Sequence, residues 1–281
     1  MKTIKFLVTL LLAFDATVEA NAQKKHFNGE ITYTVSVSLN KAARKIIKGT
    51  EGEYKVKSIC KNGNEKTTEN YFMTTSYSFR DKDSIYSYNQ RTRTGYKCSL
   101  SETIKYNQKV RHEGKNEGGG LSTEFKNDVK PTGETKEISG FTFQHYKGPQ
   151  TCKMDILGAK VVSTEELDYW VNTDYDDSNI MTIMIPGLFT DLNYTSRFKV
   201  PLLGQVEQYV SMKFHEVNPR EVSDEEFVLP TDIVFLEVKN DSEIGDAIKK
   251  DYKKWAKAQG KSIGEEVKTE GAAEVEGEWD F

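Results

Sequence analysis

Residues 31–39, Ile-Thr-Tyr-Thr-Val-Ser-Val-Ser-Leu, alternate strictly between apolar and hydroxyl-bearing side chains. Successive side chains of a β-strand point to opposite faces of its sheet, so this period of two is a strand signal. A strand with one buried and one polar face is typical of antiparallel sheets. The sequence therefore predicts a half-buried strand whose inward side chains are Ile31, Tyr33, Val35, Val37 and Leu39.

Downstream of this strand, short strand patterns are separated by turn signals. Asn62-Gly63, Asp81-Lys82-Asp83 and Ser139-Gly140 each predict a tight turn. Strand patterns lie at 54–57, 71–73, 76–80, 85–89, 96–100, 103–110, 141–146, 160–172, 180–185 and 206–217. Because the chain lacks the regular helical crossovers that a parallel sheet requires, we expect a mainly β (α+β) protein with an antiparallel sheet of eight to eleven strands.

The first 22 residues have the features of a signal peptide. Lys2 and Lys5 precede the apolar run 6–14, and Ala20-Asn21-Ala22 is a small-x-small cleavage site. Nine apolar residues are too few to cross a bilayer. We therefore expect an exported mature chain that does not span the membrane and lies in the periplasm or against the outer membrane.

The mature chain divides into three parts. Residues 23–240 are expected to form the sheet domain, interrupted by a polar, glycine-containing long loop at 113–134. Residues 241–260 have an amphipathic helical period that ends at a glycine, and residues 261–281 form an acidic tail. The apolar stripe predicted to pack the helix onto the sheet consists of Ile244, Ile248, Tyr252 and Trp255.

Charge is unevenly distributed along the chain. The net charge is −4, but residues 41–111 carry 16 Lys and Arg against 7 Asp and Glu, and residues 112–264 carry 18 against 26. A basic half can face anionic lipid head groups or the acidic half of the same chain. The acidic pI and an exported location argue against nucleic acid as a partner. The tail ends in two aromatic residues, Trp279 and Phe281, which would suit docking to an outer-membrane protein partner.

Five short motifs follow one another along the chain. They are the signal peptide, the G-E-I-x-Y-x-V strand 29–35, the hairpin 138–146, the D-Y-W-V strand 168–171 with Pro186-Gly187-Leu188, and the closing segment 222–230. This series resembles secreted domain-of-unknown-function families of Bacteroidota that are related to the lipoprotein-carrier-like (LolA-like) half-barrel superfamily, over roughly residues 27–232. The resemblance implies a strongly curved antiparallel sheet, or half-barrel, with helices over its concave side, which in the carriers encloses an acyl chain. A nearby family named for its Gly-Leu-Pro-Gly-Leu-Ile motif is a second candidate, echoed at 185–188 and 201–204.

The usual catalytic and metal-binding patterns are missing from the sequence. The four histidines are far apart and form neither H-x-H nor H-E-x-x-H, and G-x-S-x-G is absent. A couple between Cys152 and His145 has nothing in the sequence to orient the imidazole. We therefore predict no catalytic residues, no metal site and no cofactor, and a protein that is not an enzyme.

The three cysteines, Cys60, Cys98 and Cys152, allow at most one disulfide within the chain. In an oxidising compartment we expect Cys60 to pair with Cys98, because both lie in the same strand-rich half.

Apolar side chains at strand spacing are the remaining candidates for function. A curved sheet that leaves a groove would bind a hydrophobic ligand, such as a lipid or lipoprotein acyl chain, with the basic residues of 41–111 near its head group. The same spacing is typical of an ordinary filled core, and both interpretations remain open. The predicted ligand-binding residues are Phe141, Phe143, Trp170, Ile183, Ile185, Met212 and Phe214.

Overall fold

The structure of the protein is a computed structural model that describes residues 25–46, 51–70, 73–113, 124–156, 159–175, 187–200 and 203–259. The predicted signal peptide, the apolar segment 180–185 and the acidic tail lie outside the described residues.

Within these residues one large, curved, open sheet dominates, and its strands are antiparallel apart from one short edge pair. The sheet order is β13-β6-β5-β4-β3-β2-β1-β12-β11-β10-β9-β7, and β8 also pairs with β9. The fold class predicted from the sequence is therefore confirmed, with more strands than the eight to eleven expected. The strands are β1 (Gly29–Leu39), β2 (Gly52–Lys61), β3 (Asn64–Glu69), β4 (Thr74–Phe79), β5 (Ser84–Asn89), β6 (Thr94–Ser99), β7 (Glu124–Asn127), β8 (Lys130–Ile138), β9 (Phe141–Ile156), β10 (Ala159–Asn172), β11 (Leu188–Val200), β12 (Gly204–Pro219) and β13 (Phe235–Glu237).

The tight turns form where the sequence predicts them. Asn62 and Gly63 join β2 to β3 with φ angles of 51° and 83°. Positive φ at both positions is what a two-residue hairpin turn requires, and glycine adopts it without a steric penalty. The β8–β9 turn at Ser139-Gly140 has the same signs, with φ angles of 51° and 81°.

Three helices are described, namely α1 (Ala43–Ile46), α2 (Leu100–Glu113) and α3 (Asp241–Ala258). The predicted C-terminal helix corresponds to α3, and three residues of its predicted stripe are buried, while Ala256 is buried in place of Trp255. Its N-cap is Asn240, one residue before the predicted start of the helix at residue 241. None of the three helices has the length and hydrophobicity that crossing a membrane demands.

The prediction of a strand at 103–110 is wrong, because this segment belongs to helix α2. The Ser99 hydroxyl accepts the Glu102 backbone N–H at 3.1 Å, so Ser99 caps the helix. Ser99-Leu100-Ser101-Glu102 is the sequence pattern of a capping box, a helix-start signal that outweighs the β-branched residues behind it. The segment 113–134, expected as one long loop, contains β7 and the first part of β8. Met73, expected within a strand, lies in the turn before β4 with φ 52°.

The two faces of the sheet are covered differently near β5 and β6. Ile244 and Ile248 of α3 pack against Ile85, Tyr96 and Cys98 on one face, which we call the inner face. The Tyr96 hydroxyl also donates to Asp251 of α3 at 2.5 Å. Helix α2 contacts β5 and β6 and also β7, so it links the two end regions of the curved sheet.

The opposite, outer face of β3–β6 is covered by the segment 220–235. Phe227 packs edge-on to Phe79 at 6.2 Å between ring centroids, and Phe235 packs on Tyr86 at 5.2 Å. A capping box at Ser223 and Glu226 starts the short helical turn Asp224–Phe227 in this segment. Arg220 fixes the segment by ion pairs to Glu30 and Glu226.

The cap of α3 offers a small test of this fold. Asn240→Ala is expected to lower the free energy of unfolding by about 1 kcal/mol, because the Asn240 side chain accepts the Glu243 backbone N–H at 3.1 Å. Asn240→Asp retains an acceptor and should stay within a few tenths of a kcal/mol of the wild type. Urea unfolding of both variants measures the difference, and equal losses in the two would contradict the capping role.

Candidate functional site

The inner face carries an apolar row across β1, β12, β11 and β10. The cross-strand pairs Val35–Met212, Met212–Leu192 and Leu192–Tyr169 form one row across these four strands. Opposed residues of antiparallel strands point to the same face, so the row is one continuous apolar surface. All four of its side chains are buried.

Two of the predicted ligand-binding residues, Met212 and Phe214, lie together on this apolar surface. The Phe214 ring stacks on Tyr33 with 4.9 Å between centroids and meets Phe189 edge-on at 5.5 Å. A β-bulge shifts the β1–β12 register between Thr32 and Tyr33, which brings Phe214 opposite Tyr33.

Two others, Phe141 and Phe143, lie at the start of β9, in an aromatic group that packs into the same main core cluster as Met212. The Phe141 ring lies 5.8 Å from Phe27, 5.5 Å from Tyr175 and 6.5 Å from Phe143. Phe27 and Tyr175 come from segments just outside the sheet, so the cluster ties the start of the described chain to the end of β10.

Trp170 is not on the apolar inner surface. It lies on the other face of β10 from Tyr169, directly opposite His145 of β9, and stacks on that imidazole with 4.5 Å between centroids. The Lys136 ammonium lies 4.6 Å above the indole ring. The remaining predicted residues, Ile183 and Ile185, lie outside the described residues.

The apolar surface is closed in this structure. Leu192 is 0% exposed and Met212 is 1% exposed. A side chain with almost no accessible surface has no water-sized space beside it. These side chains therefore contact protein atoms on all sides. A ligand can reach Met212 only if the segments over the inner face move.

The inner face changes character across β2–β5, where hydroxyl groups replace apolar side chains. One row of opposed residues contains Ser87, Ser76, Thr67 and Ser58, and it continues into Ile31 of β1. The Ser76 and Ser87 hydroxyls hydrogen-bond at 2.6 Å, and those of Ser58 and Thr67 at 3.0 Å. This hydroxyl row is absent from the sequence-based prediction, which took the inner face as apolar.

A buried carboxyl group, Glu65, lies in the next row of the same face. Glu65 is 3% exposed and accepts a hydrogen bond from the Thr67 hydroxyl at 2.8 Å. Burial raises the pKa of Glu65, and the hydrogen bonds from Thr67 and Ser58 oppose that rise. Within the described chain no lysine or arginine forms an ion pair with this carboxyl group.

Ser78 of β4 is paired directly with Glu65 across the sheet. It is 3% exposed, and its hydroxyl has no hydrogen-bond partner among the described residues. A buried hydroxyl without a partner costs free energy, so native structures retain few of them.

A second buried carboxyl group, Glu165 of β10, lies near the opposite end of the strands. It accepts hydrogen bonds from the Tyr194 hydroxyl at 2.9 Å and from the Gln150 side-chain amide at 3.0 Å. Burial raises the pKa of Glu165 to about 7, although hydrogen bonds from Tyr194, Gln150 and Ser163 act against the rise. Unlike Ser78, this group is surrounded by donors.

The structure also shows that the imidazole of His145 is oriented, contrary to the sequence-based interpretation. Its Nε2 lies 2.8 Å from the Asp168 carboxylate, and its Nδ1 lies 3.0 Å from the Thr132 hydroxyl and 3.3 Å from the Glu134 carboxylate. Lys147 pairs with the same Asp168 at 2.9 Å. With a carboxylate near each ring nitrogen, the imidazole is held in a polar network on the outer side of β9 and β10, which suits positioning of these strands.

The cysteines and histidines do not build a metal or disulfide site in the described part of the chain. No group of three His, Cys, Asp or Glu side chains there is placed to hold a metal ion. The expected Cys60–Cys98 disulfide is wrong, because the two residues lie on β2 and β6, four strand spacings or about 19 Å apart along the sheet, which is beyond the reach of a disulfide. Burial raises the pKa of the Cys98 thiol to about 11, which suppresses its reactive thiolate form.

Comparisons with protein-family models, with curated proteins and with solved structures find no match to this chain.

Proposed function

We propose that this protein is an exported, non-enzymatic binding protein that holds a lipid or lipoprotein acyl chain on the apolar half of its inner face. The observation that carries the proposal is the continuous apolar row Val35, Met212, Leu192 and Tyr169 on one face of a single curved sheet. Burial of each methylene of an acyl chain contributes about 0.8 kcal/mol, so a surface of this kind can bind a chain without directional contacts.

Uptake of the chain requires the inner face to open. Met212 is a suitable side chain at such a place, because its unbranched thioether adapts to irregular shapes. Helix α2 is the natural moving part, since it contacts β5 and β6 at one end of the sheet order and β7 at the other. We infer that a shift of this helix would open the space between the two ends of the sheet order and leave the strand pairing intact.

The resemblance to LolA-like half-barrels supports the same function, and membership of that superfamily stays a prediction. Export likewise rests on the signal-peptide pattern of residues 1–22. Docking of an outer-membrane protein by Trp279 and Phe281 stays a prediction as well, because the tail lies outside the described residues.

Mass spectrometry of organic extracts tests the proposed function. The mature chain, 23–281, is purified without detergent from the periplasm of a bacterial host, and its organic extract is analysed. After the lipid has been removed, the protein is titrated with the neutral fluorescent probe laurdan. We expect about one lipid per protein in the extract and saturable laurdan binding. A lipid-free extract together with no saturable laurdan binding would overturn the proposal.

A further inference from the structure

The polar and apolar halves of the inner face are joined in one row of opposed residues. Ser87, Ser76, Thr67 and Ser58 are followed by Ile31 of β1 and Val217 of β12. Neighbouring strands lie about 4.8 Å apart, so the row extends about 24 Å from β5 to β12. A surface that changes from hydroxyl to hydrocarbon along one line matches a ligand with a polar head and an apolar chain.

Glu65 and Ser78 indicate what kind of head group this surface would take. With a cation beside it, an ionised Glu65 carboxyl group accepts charge-assisted hydrogen bonds, and the cation offsets the cost of burying its charge. The Ser78 hydroxyl, without a partner in the described chain, offers an additional acceptor beside it. An ammonium group has three donors and a positive charge, so it satisfies both residues together. A carboxylate or phosphate would be repelled by Glu65.

We propose that Glu65, Ser78 and the adjoining hydroxyl row form a head-group subsite for an amine-bearing amphiphile, whose hydrocarbon chain lies toward Ile31 and Val217. The inference rests on the proposed function, because it assigns the head group of the ligand whose chain the apolar half would bind. Glu65 accepts from the ammonium group, Ser78 accepts a second N–H, and Thr67 keeps Glu65 in place through its 2.8 Å hydrogen bond.

Three amphiphiles with the same twelve-carbon chain test the head-group subsite. The competitors are dodecylamine, dodecanol and dodecanoate. Each is added below its micellar concentration at pH 7.4, and its displacement of laurdan from the mature chain is measured. We expect dodecylamine to bind about tenfold or more tightly than the other two, because a hydrogen-bonded charge pair in a buried site is worth at least that factor. Glu65→Gln should remove this preference and leave dodecanol binding unchanged.

Two further variants make the test specific. Ser78→Ala removes a hydroxyl that has no partner in the described chain, so it should fold normally and weaken dodecylamine binding about threefold to tenfold. Circular dichroism shows whether Glu65→Gln folds. If it does not, Ser78→Ala still tests the subsite. Glu53→Gln removes the same charge from the exposed side of β2 and should keep the full amine preference.

The outcomes separate the inference from the function on which it rests. Equal displacement of laurdan by all three amphiphiles, unchanged in Ser78→Ala, would overturn the amine subsite and leave the acyl-chain function standing. Failure of laurdan and of all three amphiphiles to bind the wild-type chain would overturn the proposed function itself.

Discussion

Replacement of Phe143 by alanine is expected to lower the free energy of unfolding by about 3–5 kcal/mol, the usual loss for a large aromatic side chain in a packed core. Phe143 is 0% exposed and belongs to the main core cluster of the sheet. Removal of its ring leaves a cavity among neighbours that are themselves held in strands, so the site can collapse only partly. Urea unfolding followed by tryptophan fluorescence measures the loss.

Phe141→Ala is the matched control, because Phe141 lies two residues away on the same strand and is only partly buried. Its truncation should cost less, about 2 kcal/mol, from lost burial and its edge-on contacts with Phe27 and Tyr175. A Phe143→Ala loss below about 1 kcal/mol would contradict the closed packing at this position. Phe143 would then border an open space, and the ligand-binding surface would extend to the start of β9.

Local sequence signals were sufficient for the class of the fold and for several of its elements. Asn62-Gly63 specifies its turn through two positive φ angles, and the spacing of Ile244, Ile248 and Tyr252 specifies α3 through one apolar stripe. Helix α2 was missed although its signal was present. Ile104 and Tyr106 alternate like strand residues, and only the Ser99–Glu102 capping box distinguishes the helix.

The makeup of the inner face could not be predicted in the same way, because it depends on register. Ser58, Thr67, Ser76 and Ser87 each look like the solvated side of their own strand, and only the pairing of β2–β5 puts them in one covered row. The bulge near Phe214 depends equally on the partner strand. The position of Trp170, by contrast, could be predicted from the sequence. Leu167, Tyr169 and Val171 alternate along one face of β10, so Trp170 lies on the opposite face with Asp168.

Between pH 4 and pH 8 the stability of the wild-type protein is expected to fall relative to Glu165→Gln by about 3 kcal/mol. Burial raises the pKa of Glu165 in the folded protein to about 7. In the unfolded chain the carboxyl group has the ordinary glutamate pKa of 4.5. A shift of one pKa unit corresponds to about 1.4 kcal/mol. Because the folded state binds the proton more tightly, this stabilisation is complete below about pH 4.5 and is lost as the pH rises through 7.

Glutamine suits the Glu165 site because it keeps the shape of the side chain and cannot ionise. Its carbonyl oxygen can accept the Tyr194 hydroxyl hydrogen bond, and the amide of Gln150 can turn to present its oxygen to the new N–H group. At pH 4, where Glu165 is protonated in both states, the two proteins should therefore have similar stability. Above pH 7 the variant should be the more stable of the two.

Urea unfolding at five pH values between 4 and 8 measures this difference. Other buried acids, such as Glu65 and Asp241, contribute a pH dependence of the same sign, and they cancel because both proteins contain them. Glu166→Gln, the same charge change at the exposed neighbouring residue, should follow the wild type within about 0.5 kcal/mol at every pH.

A difference between wild type and Glu165→Gln that stays constant from pH 4 to pH 8 would show that the pKa of Glu165 is the same in the folded and unfolded states. Its three hydrogen bonds would then balance the effect of its burial, and the interior near β10 would be more polar than the surrounding apolar row indicates. The expected result has a consequence for ligand binding. A carboxyl group with a pKa of about 7 is mostly protonated below about pH 6, and its neutral form lets an acyl chain lie against the inner face at β10 without burying a charge.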